Sequence, residues 1–238
     1  MTEADFPLLS LIITIPLLGA LLAGSIRNVD VAKQIAFFTA LITFVLTACA
    51  ALLFDADKSG FQLVERYDWI PLLKIEYLVG VDGISVLFLP MTGLLTIITM
   101  LASWSAISHS SRFHFSLLLA LESVSIGVFC ALDTVLFFLF WELTLPPFFF
   151  LIGLWGIGSQ RRSAAMKYTL FMLAGGVTLL LAIIVLATNH AKQIGGQIPN
   201  DLTFSLPILL NTPLPDNLQT LVFLLLLFGF AVKAPLVP

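Results

Sequence analysis

Three ionisable side chains lie inside apolar segments that otherwise have the composition of membrane helices. They are Glu142 within residues 135–150, Lys233 within residues 228–238 and Glu122 within residues 115–131. A charged group at the centre of a bilayer costs about 2.5–3.5 kcal/mol on insertion scales, so each of the three residues is predicted to have a functional role. Carboxylates and amines take up and release protons, and the chemistry that these residues indicate is proton transfer.

Glu122 and Glu142 lie at equal distances along the chain from Leu132, where a tight turn is predicted between two helices. Helices rise about 1.5 Å per residue, so the two carboxylates are predicted to lie at one depth, roughly 15 Å into the membrane. If they face each other, two like charges in a low dielectric do not both ionise readily, which suits a group that exchanges a proton. The alternative is that Glu122 has a structural role.

Pro146 and Pro147 follow Glu142 closely in the sequence. A proline lacks the N–H that would bond the carbonyl four residues earlier, so this pair is predicted to release the carbonyls of Glu142 and Leu143. Unpaired carbonyls in hydrocarbon must find water or a neighbouring helix. A water-entry point beside Glu142 is therefore predicted. The alternative is a plain proline kink with Glu142 bonded to a polar neighbour.

Lys233 also lies in a helix that is predicted to be broken. Pro235 and Pro238 would free the carbonyls of Ala231 and Ala234, which bracket the lysine and could hold water against it.

Lys233 and Glu142 could form a pair whose proton occupancy switches. Burial disfavours the ammonium and a nearby carboxylate favours it, so a change in their separation would move a proton. The competing interpretation is a lysine that snorkels to the cytoplasmic interface.

The composition is that of a polytopic membrane protein. Of the 238 residues, 59% are hydrophobic and 11% are charged, whereas soluble domains carry about a quarter charged residues. We predict an all-α membrane helix bundle that forms a single domain over residues 1–238. The net charge of −3 reflects an acidic outer face and indicates no affinity for nucleic acid.

Apolar stretches predict about seven spanning helices and two longer outer loops. The helices are predicted at 8–26, 32–54, 83–104, 115–131, 134–154, 168–187 and 219–238, and the outer loops at 55–82 and 188–218. The first of these loops has a partly alternating pattern that favours a short hairpin or an aromatic belt at the interface. The second is rich in Gly, Pro and Asn and is predicted to be irregular.

Basic residues predict the orientation in the membrane. If the spans alternate, one side carries Arg27, Lys33, Arg112, Arg161, Arg162 and Lys167. That side is predicted to face the cytoplasm, which places the N-terminus outside. Glu3 and Asp5 precede the first span without a basic residue, so we expect no cleaved signal peptide, and the lack of a targeting segment favours a bacterial plasma membrane.

Cofactor and metal motifs are absent from the sequence. Cys49 and Cys130 do not have zinc or iron–sulfur spacing and are predicted to be packing residues. The sequence from Gly156 to Gly158 follows a membrane helix, and Arg161 stands where a dinucleotide loop needs its third glycine. We predict no cofactor or metal on this chain.

Several motifs resemble chain M, or subunit 4, of NADH-quinone oxidoreductase, an antiporter-like subunit of respiratory complex I. They are Gly80-Val-Asp-Gly-Ile-Ser85, Gly127-Val-Phe-Cys-Ala-Leu-Asp133 leading to Phe140-Trp-Glu-Leu143, Phe150-Leu-Ile-Gly-Leu-Trp-Gly156 and Phe230-Ala-Val-Lys-Ala-Pro235. The resemblance implies that Glu142 and Lys233 match the family's charge pair for proton translocation, and that Glu122 matches a fourth-span Glu. It also implies other membrane subunits and the lipid bilayer as partners. NADH and quinone would be used elsewhere in the complex.

The sequence departs from the family pattern in three places. Pro146 replaces an aliphatic residue, Ala234 replaces a methionine, and the sequence stops where the family continues into further helices. We therefore expect a truncated chain that holds the N-terminal half of an inverted-repeat fold and does not pump protons alone. Two alternatives remain open: a subunit of a multi-chain cation/proton antiporter, and a structural membrane chain without transport.

Overall fold

Helices make up most of the chain in the computed structural model, which describes residues 2, 4, 6–234 and 236. They are α1 (Leu8–Ser25), α2 (Val29–Leu53), α3 (Ser85–Ser103), α4 (Ser111–Cys130), α5 (Thr134–Leu143), α6 (Leu145–Trp155), α7 (Arg161–Gln193), α8 (Leu206–Leu210) and α9 (Asp216–Lys233). With α5 and α6 taken as one span, 7 of the described helices are long and apolar enough to cross a membrane. The prediction of an all-α membrane bundle is confirmed.

The first compact unit comprises α1 to α4, within residues up to Glu65 and from Val79 to Cys130. Helix α1 packs against α2 and α4, and α3 packs against α2 and α4. Small residues allow these close approaches: a Cβ at Gly19 would collide with Thr39, and one at Gly93 would lie 3.1 Å from the Phe44 backbone. Because there is no hydrophobic driving force between helices in lipid, membrane helices associate through close van der Waals packing of this kind.

Charged side chains close the helix ends in this unit. The carboxylate of Glu65 accepts hydrogen bonds from the backbone N–H groups of Leu9, at 2.7 Å, and Ser10, at the N-terminus of α1. Arg112 donates to the carbonyl of Ile26 at 2.9 Å, and Lys33 donates to that of Trp104 at 2.7 Å.

These charges complement the helix dipoles, with an anion at an N-terminus and cations at C-termini. Lys33 and Arg112 thus lie at the same end of the unit, as their predicted placement on one membrane side requires. Glu3 and Asp5, which entered that prediction, lie outside the described residues.

A two-stranded sheet occupies the first long loop. Strands β1 (Gln62–Ile70) and β2 (Ile75–Val81) are joined through a 3-10 turn, Pro71–Leu73. Lys74 ends the turn in the left-handed conformation, with φ of 56°. The hairpin with which the alternating pattern was compatible is present, and the alternative of an aromatic belt at the membrane interface stays a prediction.

The second compact unit comprises α5 to α9 and the hairpin tip, within residues 66–78 and 131–238. Helix α7 packs against α5, α6, α8 and α9. Backbone hydrogen bonds tie the chain together where α5 begins: Leu132 donates to Leu78 at 2.9 Å, and Leu206 donates to Leu132 at 2.7 Å. The hairpin tip and the loop before α8 are thereby fixed to the start of α5.

Two helices differ from the predicted spans. Helix α7 has 33 residues, about 50 Å at 1.5 Å per residue, and therefore exceeds a hydrocarbon core of about 30 Å. Its predicted range, 168–187, covered only the apolar middle, because hydropathy does not detect polar helical ends. The span predicted at 134–154 is divided at Thr144 into α5 and α6.

Candidate functional site

The break between α5 and α6 is the centre of the candidate site. Helix α5 ends at Leu143 and α6 begins at Leu145, with Pro146 and Pro147 in the first turn of α6. Neither proline can donate a backbone hydrogen bond, so the helical ladder cannot continue across this point. Thr144, between the two helices, is buried, with 6% of its surface exposed.

Lys233, the last residue of α9, reaches this break. Its Nζ donates to the carbonyl oxygen of Trp141 at 2.6 Å and to the Thr144 hydroxyl oxygen at 2.7 Å. The same ammonium lies 4.0 Å from the centre of the Trp141 ring, within the range of a cation–π contact. The lysine therefore caps the carbonyl just before the two that the prolines were predicted to release.

The prediction of a free carbonyl at Ala231 is wrong. That carbonyl accepts a hydrogen bond from the backbone N–H of Leu236 at 3.1 Å, which replaces the N–H that a proline at 235 lacks. Pro235 and Pro238 lie outside the described residues, and with them the predicted effect on Ala234.

Glu142 is directed from α5 toward α7. Its Oε1 lies so close to Gly176 that any side chain at that position would collide with the carboxylate. Its Oε2 is buried and has no hydrogen-bond partner among the described residues. No ion pair within 4.0 Å joins Glu142 to Lys233 in the part of the chain that the structure describes.

Two adjacent glycines of α7 bring the neighbouring helices together. Gly176 receives the carboxylate of Glu142 from α5, and Gly175 receives Val232 from α9, whose Cβ would lie 2.8 Å from an added Cβ. Val232 precedes Lys233 in the chain. Close contacts at these glycines therefore hold the backbones that carry both candidate charges, and sequence reasoning missed this although paired glycines in an apolar helix are typical of close helix packing.

An open, largely apolar groove of about 480 Å³ lies beside Glu142. Besides that carboxylate, its lining includes Leu139, Pro146, Met166 and Thr169. The hydroxyl of Thr169 is buried without a hydrogen-bond partner among the described residues. The rest of the lining is apolar, so Glu142 and Thr169 are the two lining residues that offer polar partners to a water molecule.

Glu122 is almost completely buried in α4, with 1% of its surface exposed. Neither carboxylate oxygen has a hydrogen-bond partner among the described residues. It belongs to the first compact unit, whereas Glu142 and Lys233 belong to the second.

Asp133, the last residue of one family motif, is a further buried carboxylate at the start of α5, for which the sequence predicted no site role. Its Oδ1 accepts from the N–H groups of Val135 and Leu136, and its Oδ2 accepts from that of Glu76 at 3.1 Å. Burial raises the pKa of Asp133 above its ordinary value, and these N–H groups act in the opposite direction. An Asp directly before an apolar run is the sequence signal of a helix N-cap.

The described part of the chain contains no set of candidate metal ligands. Within those residues, no group of at least 3 His, Cys, Asp or Glu side chains converges as a metal site would require. The arrangement of Glu142 and Lys233 instead offers a proton acceptor and a cation at one helix break.

Part of the chain matches a known family of transmembrane proteins. Residues 131–238 match the family described as NADH:quinone oxidoreductase/Mrp antiporter, transmembrane. NAD(P)H-quinone oxidoreductase chain 4 of Synechococcus sp. strain WH7803 is 36% identical over 99% of this chain and 42% of its own length. The chain thus spans less than half the length of this curated relative.

Solved structures share the fold. A chain of respiratory complex I from Thermus thermophilus matches with a TM-score of 0.82 and 24% identity, over 97% of this chain and 44% of that one. A chain of the Mrp complex from Dietzia sp. matches with a TM-score of 0.74 and 20% identity, over 95% of this chain and 23% of that one. The resemblance predicted from the sequence is confirmed: residues 131–238 of this multi-pass membrane chain match the NADH:quinone oxidoreductase/Mrp antiporter transmembrane family.

Proposed function

We propose that the intact protein is a proton-translocating membrane subunit of NADH:quinone oxidoreductase. The observation that carries this proposal is the placement of the Glu142 carboxylate and the Lys233 ammonium around one break in a membrane helix. Buried ionisable groups of this kind mark ion and proton pathways in membrane proteins. The names of the relatives and the shared fold support the choice of complex.

Glu142 would be the group that accepts and releases the proton. One of its oxygens is buried without a partner, so a proton there would displace no hydrogen bond to a neighbouring residue. The adjoining open groove leaves the same side of α5 accessible beside this carboxylate. Glu122, buried in α4, would serve as a second proton-handling carboxylate.

Lys233 would control the occupancy of Glu142 through charge. The two side chains are not in direct contact, so an approach of the ammonium would favour the carboxylate and a retreat would favour the protonated acid. Electron transfer elsewhere in the complex would drive that movement. NADH and quinone would bind other subunits, and this chain would carry no redox group.

The proposed setting is a bacterial inner membrane with the N-terminus outside. The partners would be other membrane subunits of the complex and the surrounding lipid. The basic end of the first unit, with Lys33 and Arg112, would face the cytoplasm.

A subunit of a multi-chain cation/proton antiporter is the second candidate. The description of the matched family names the Mrp antiporter, and the Dietzia Mrp chain has the same fold. The driving force separates the two functions, because an antiporter would respond to a Na⁺ or K⁺ gradient rather than to NADH oxidation.

The decisive experiment uses inside-out vesicles that carry the full-length gene with Glu142→Gln. This substitution removes the charge with little change of shape. We expect proton uptake per NADH to fall while the complex remains assembled. Asp57→Asn, at an exposed position in the first long loop, is the matched control and should leave uptake unchanged.

Other outcomes would select another function. Normal proton uptake by an assembled Glu142→Gln complex would make the carboxylate structural. Parent vesicles that respond to a Na⁺ or K⁺ gradient and not to NADH would identify the antiporter.

A further inference from the structure

Thr144 occupies a position that neither the sequence pattern nor the family resemblance singles out. It is the single residue between α5 and α6, and its side chain is buried beside the end of α9. Its hydroxyl oxygen lies 2.8 Å from the Trp141 carbonyl and 2.7 Å from Nζ of Lys233. Thr144 therefore touches both the open end of α5 and the candidate lysine.

The three polar groups form a closed triangle of hydrogen bonds. The carbonyl of Trp141 can only accept, so both the Thr144 hydroxyl and Lys233 donate to it. The hydroxyl has then used its one proton and must accept from Lys233. Each contact thus has a defined direction, and Lys233 donates twice.

This triangle suits an ammonium better than a neutral amine. An ammonium has three N–H donors and no acceptor, and two of its donors are used here. It also lies at the C-terminal end of α5, where the helix dipole attracts a cation, and over the face of the Trp141 ring. The site at the helix break is therefore a resting position for the charged lysine.

The acceptors at this resting position compete with the Glu142 carboxylate for the Lys233 ammonium. Glu142 follows Trp141 directly in α5, yet its carboxylate lies against Gly176 of α7, and no ion pair joins it to Lys233 in the described chain. An ammonium with two good acceptors gains less by moving to a carboxylate than an ammonium with one. The Thr144 hydroxyl thereby stabilises the Lys233 ammonium at the helix break relative to a position beside the Glu142 carboxylate.

We infer that Thr144 is a positioning residue: its hydroxyl holds the Lys233 ammonium at the break of α5 and apart from the Glu142 carboxylate. The inference rests on the proposed function, because it assigns Thr144 a part in the same proton transfer. Thr144 neither takes up nor releases the transported proton in this scheme. It acts only through the position of Lys233.

The test compares Thr144→Val, which keeps the shape and removes the hydroxyl, with Thr144→Ser, which keeps the hydroxyl. Both are introduced into the full-length gene, and NADH-driven proton uptake is measured in inside-out vesicles beside the amount of assembled complex. Loss of one hydrogen bond to a charged group predicts about a tenfold lower uptake rate for Thr144→Val. Thr144→Ser should restore most of the rate.

Thr188→Val is the matched control. Among the described residues, the hydroxyl of Thr188 donates only to the backbone of its own helix, to Ile184 at 2.8 Å and Val185 at 3.1 Å, and its loss should leave uptake unchanged. Glu142→Gln is measured in the same vesicles. A loss of uptake in Glu142→Gln with normal uptake in Thr144→Val would overturn the role of Thr144 and leave the proposed function standing.

Assembly decides the remaining outcomes. If Thr144→Val does not assemble, Thr144→Ala takes its place with the same serine comparison. Failure of both to assemble, beside a serine variant that does, would assign the hydroxyl to folding and overturn the inference. Absence of NADH-driven uptake in the parent vesicles would remove the proposed function and the inference together.

Discussion

Lys233 lies 2.6 Å from the carbonyl oxygen of Trp141 but forms no ion pair with the neighbouring Glu142 in the described chain. The ammonium thus binds the backbone end of α5 rather than the carboxyl group of Glu142 in the same helix turn. A buried pair in direct contact would be held together strongly in a low dielectric and would resist separation. Separate binding positions keep both groups available for a proton cycle.

Gly176→Ala should disturb Glu142 without touching its charge. A methyl group at this position would collide with Oε1 and force the carboxylate or α7 to move. Overpacking of this kind costs about 1–3 kcal/mol, so we expect a lower melting temperature of the complex and slower proton uptake. Gly83→Ala is the control, because the nearest atoms to its added Cβ lie 3.9 Å away. Equal behaviour of the two variants would contradict the close approach at Gly176.

Glu122→Gln separates a functional from a structural role for this residue. Both carboxylate oxygens are buried without partners in the described chain, so a neutral amide of similar size breaks no hydrogen bond. If Glu122 handles protons, uptake should fall while thermal stability stays equal or rises. The measurement is the uptake rate beside the melting temperature of the purified complex. A loss of stability with unchanged transport would identify a structural carboxylate.

Asp133→Asn should alter how stability depends on pH. Because burial raises the pKa of Asp133, the folded state binds this proton more tightly than the unfolded state does. The parent protein should therefore lose stability as pH rises from the ordinary aspartate value of 3.8 to the raised value, and remain level above it.

Asparagine cannot titrate and still caps a helix, so this slope should disappear in the Asp133→Asn variant while most of the capping remains. Melting temperatures across a pH series would check this expectation. A slope that is the same in both proteins would show that another group titrates there.

The sequence was sufficient to find the charges and the break but not their partners. Glu142 and Lys233 stand out because an ionisable residue in an apolar span is rare, and Pro146 and Pro147 interrupt a helix through local chemistry alone. The roles of Thr144 and Gly176 depend on how α7 and α9 pack against α5. Threonine is ordinary in membrane helices and carried no signal, whereas the glycine pair that includes Gly176 indicates close helix packing but does not name the residue that packs there.

Local rules also explain the errors at helix ends. The rule that a proline releases the carbonyl four residues earlier failed at Ala231, because the next N–H along the chain, that of Leu236, bonds it instead. The range predicted from hydropathy was shorter than α7 at both ends, since residues such as Lys167 and His190 are helical without being apolar. Neither alternative partner nor polar helix end is visible in a residue-by-residue scale.

The helix-end contacts of Lys33 and Arg112 join two properties that are usually treated apart. Cationic residues near the ends of membrane helices are the topogenic signal by which insertion machinery orients a nascent membrane chain. Here the same two side chains also close the ends of α3 and α1 after folding. A chain inserted upside down would have to pull both cations across the membrane before it could complete those helix ends, so misorientation and misfolding would be penalised by the same atoms.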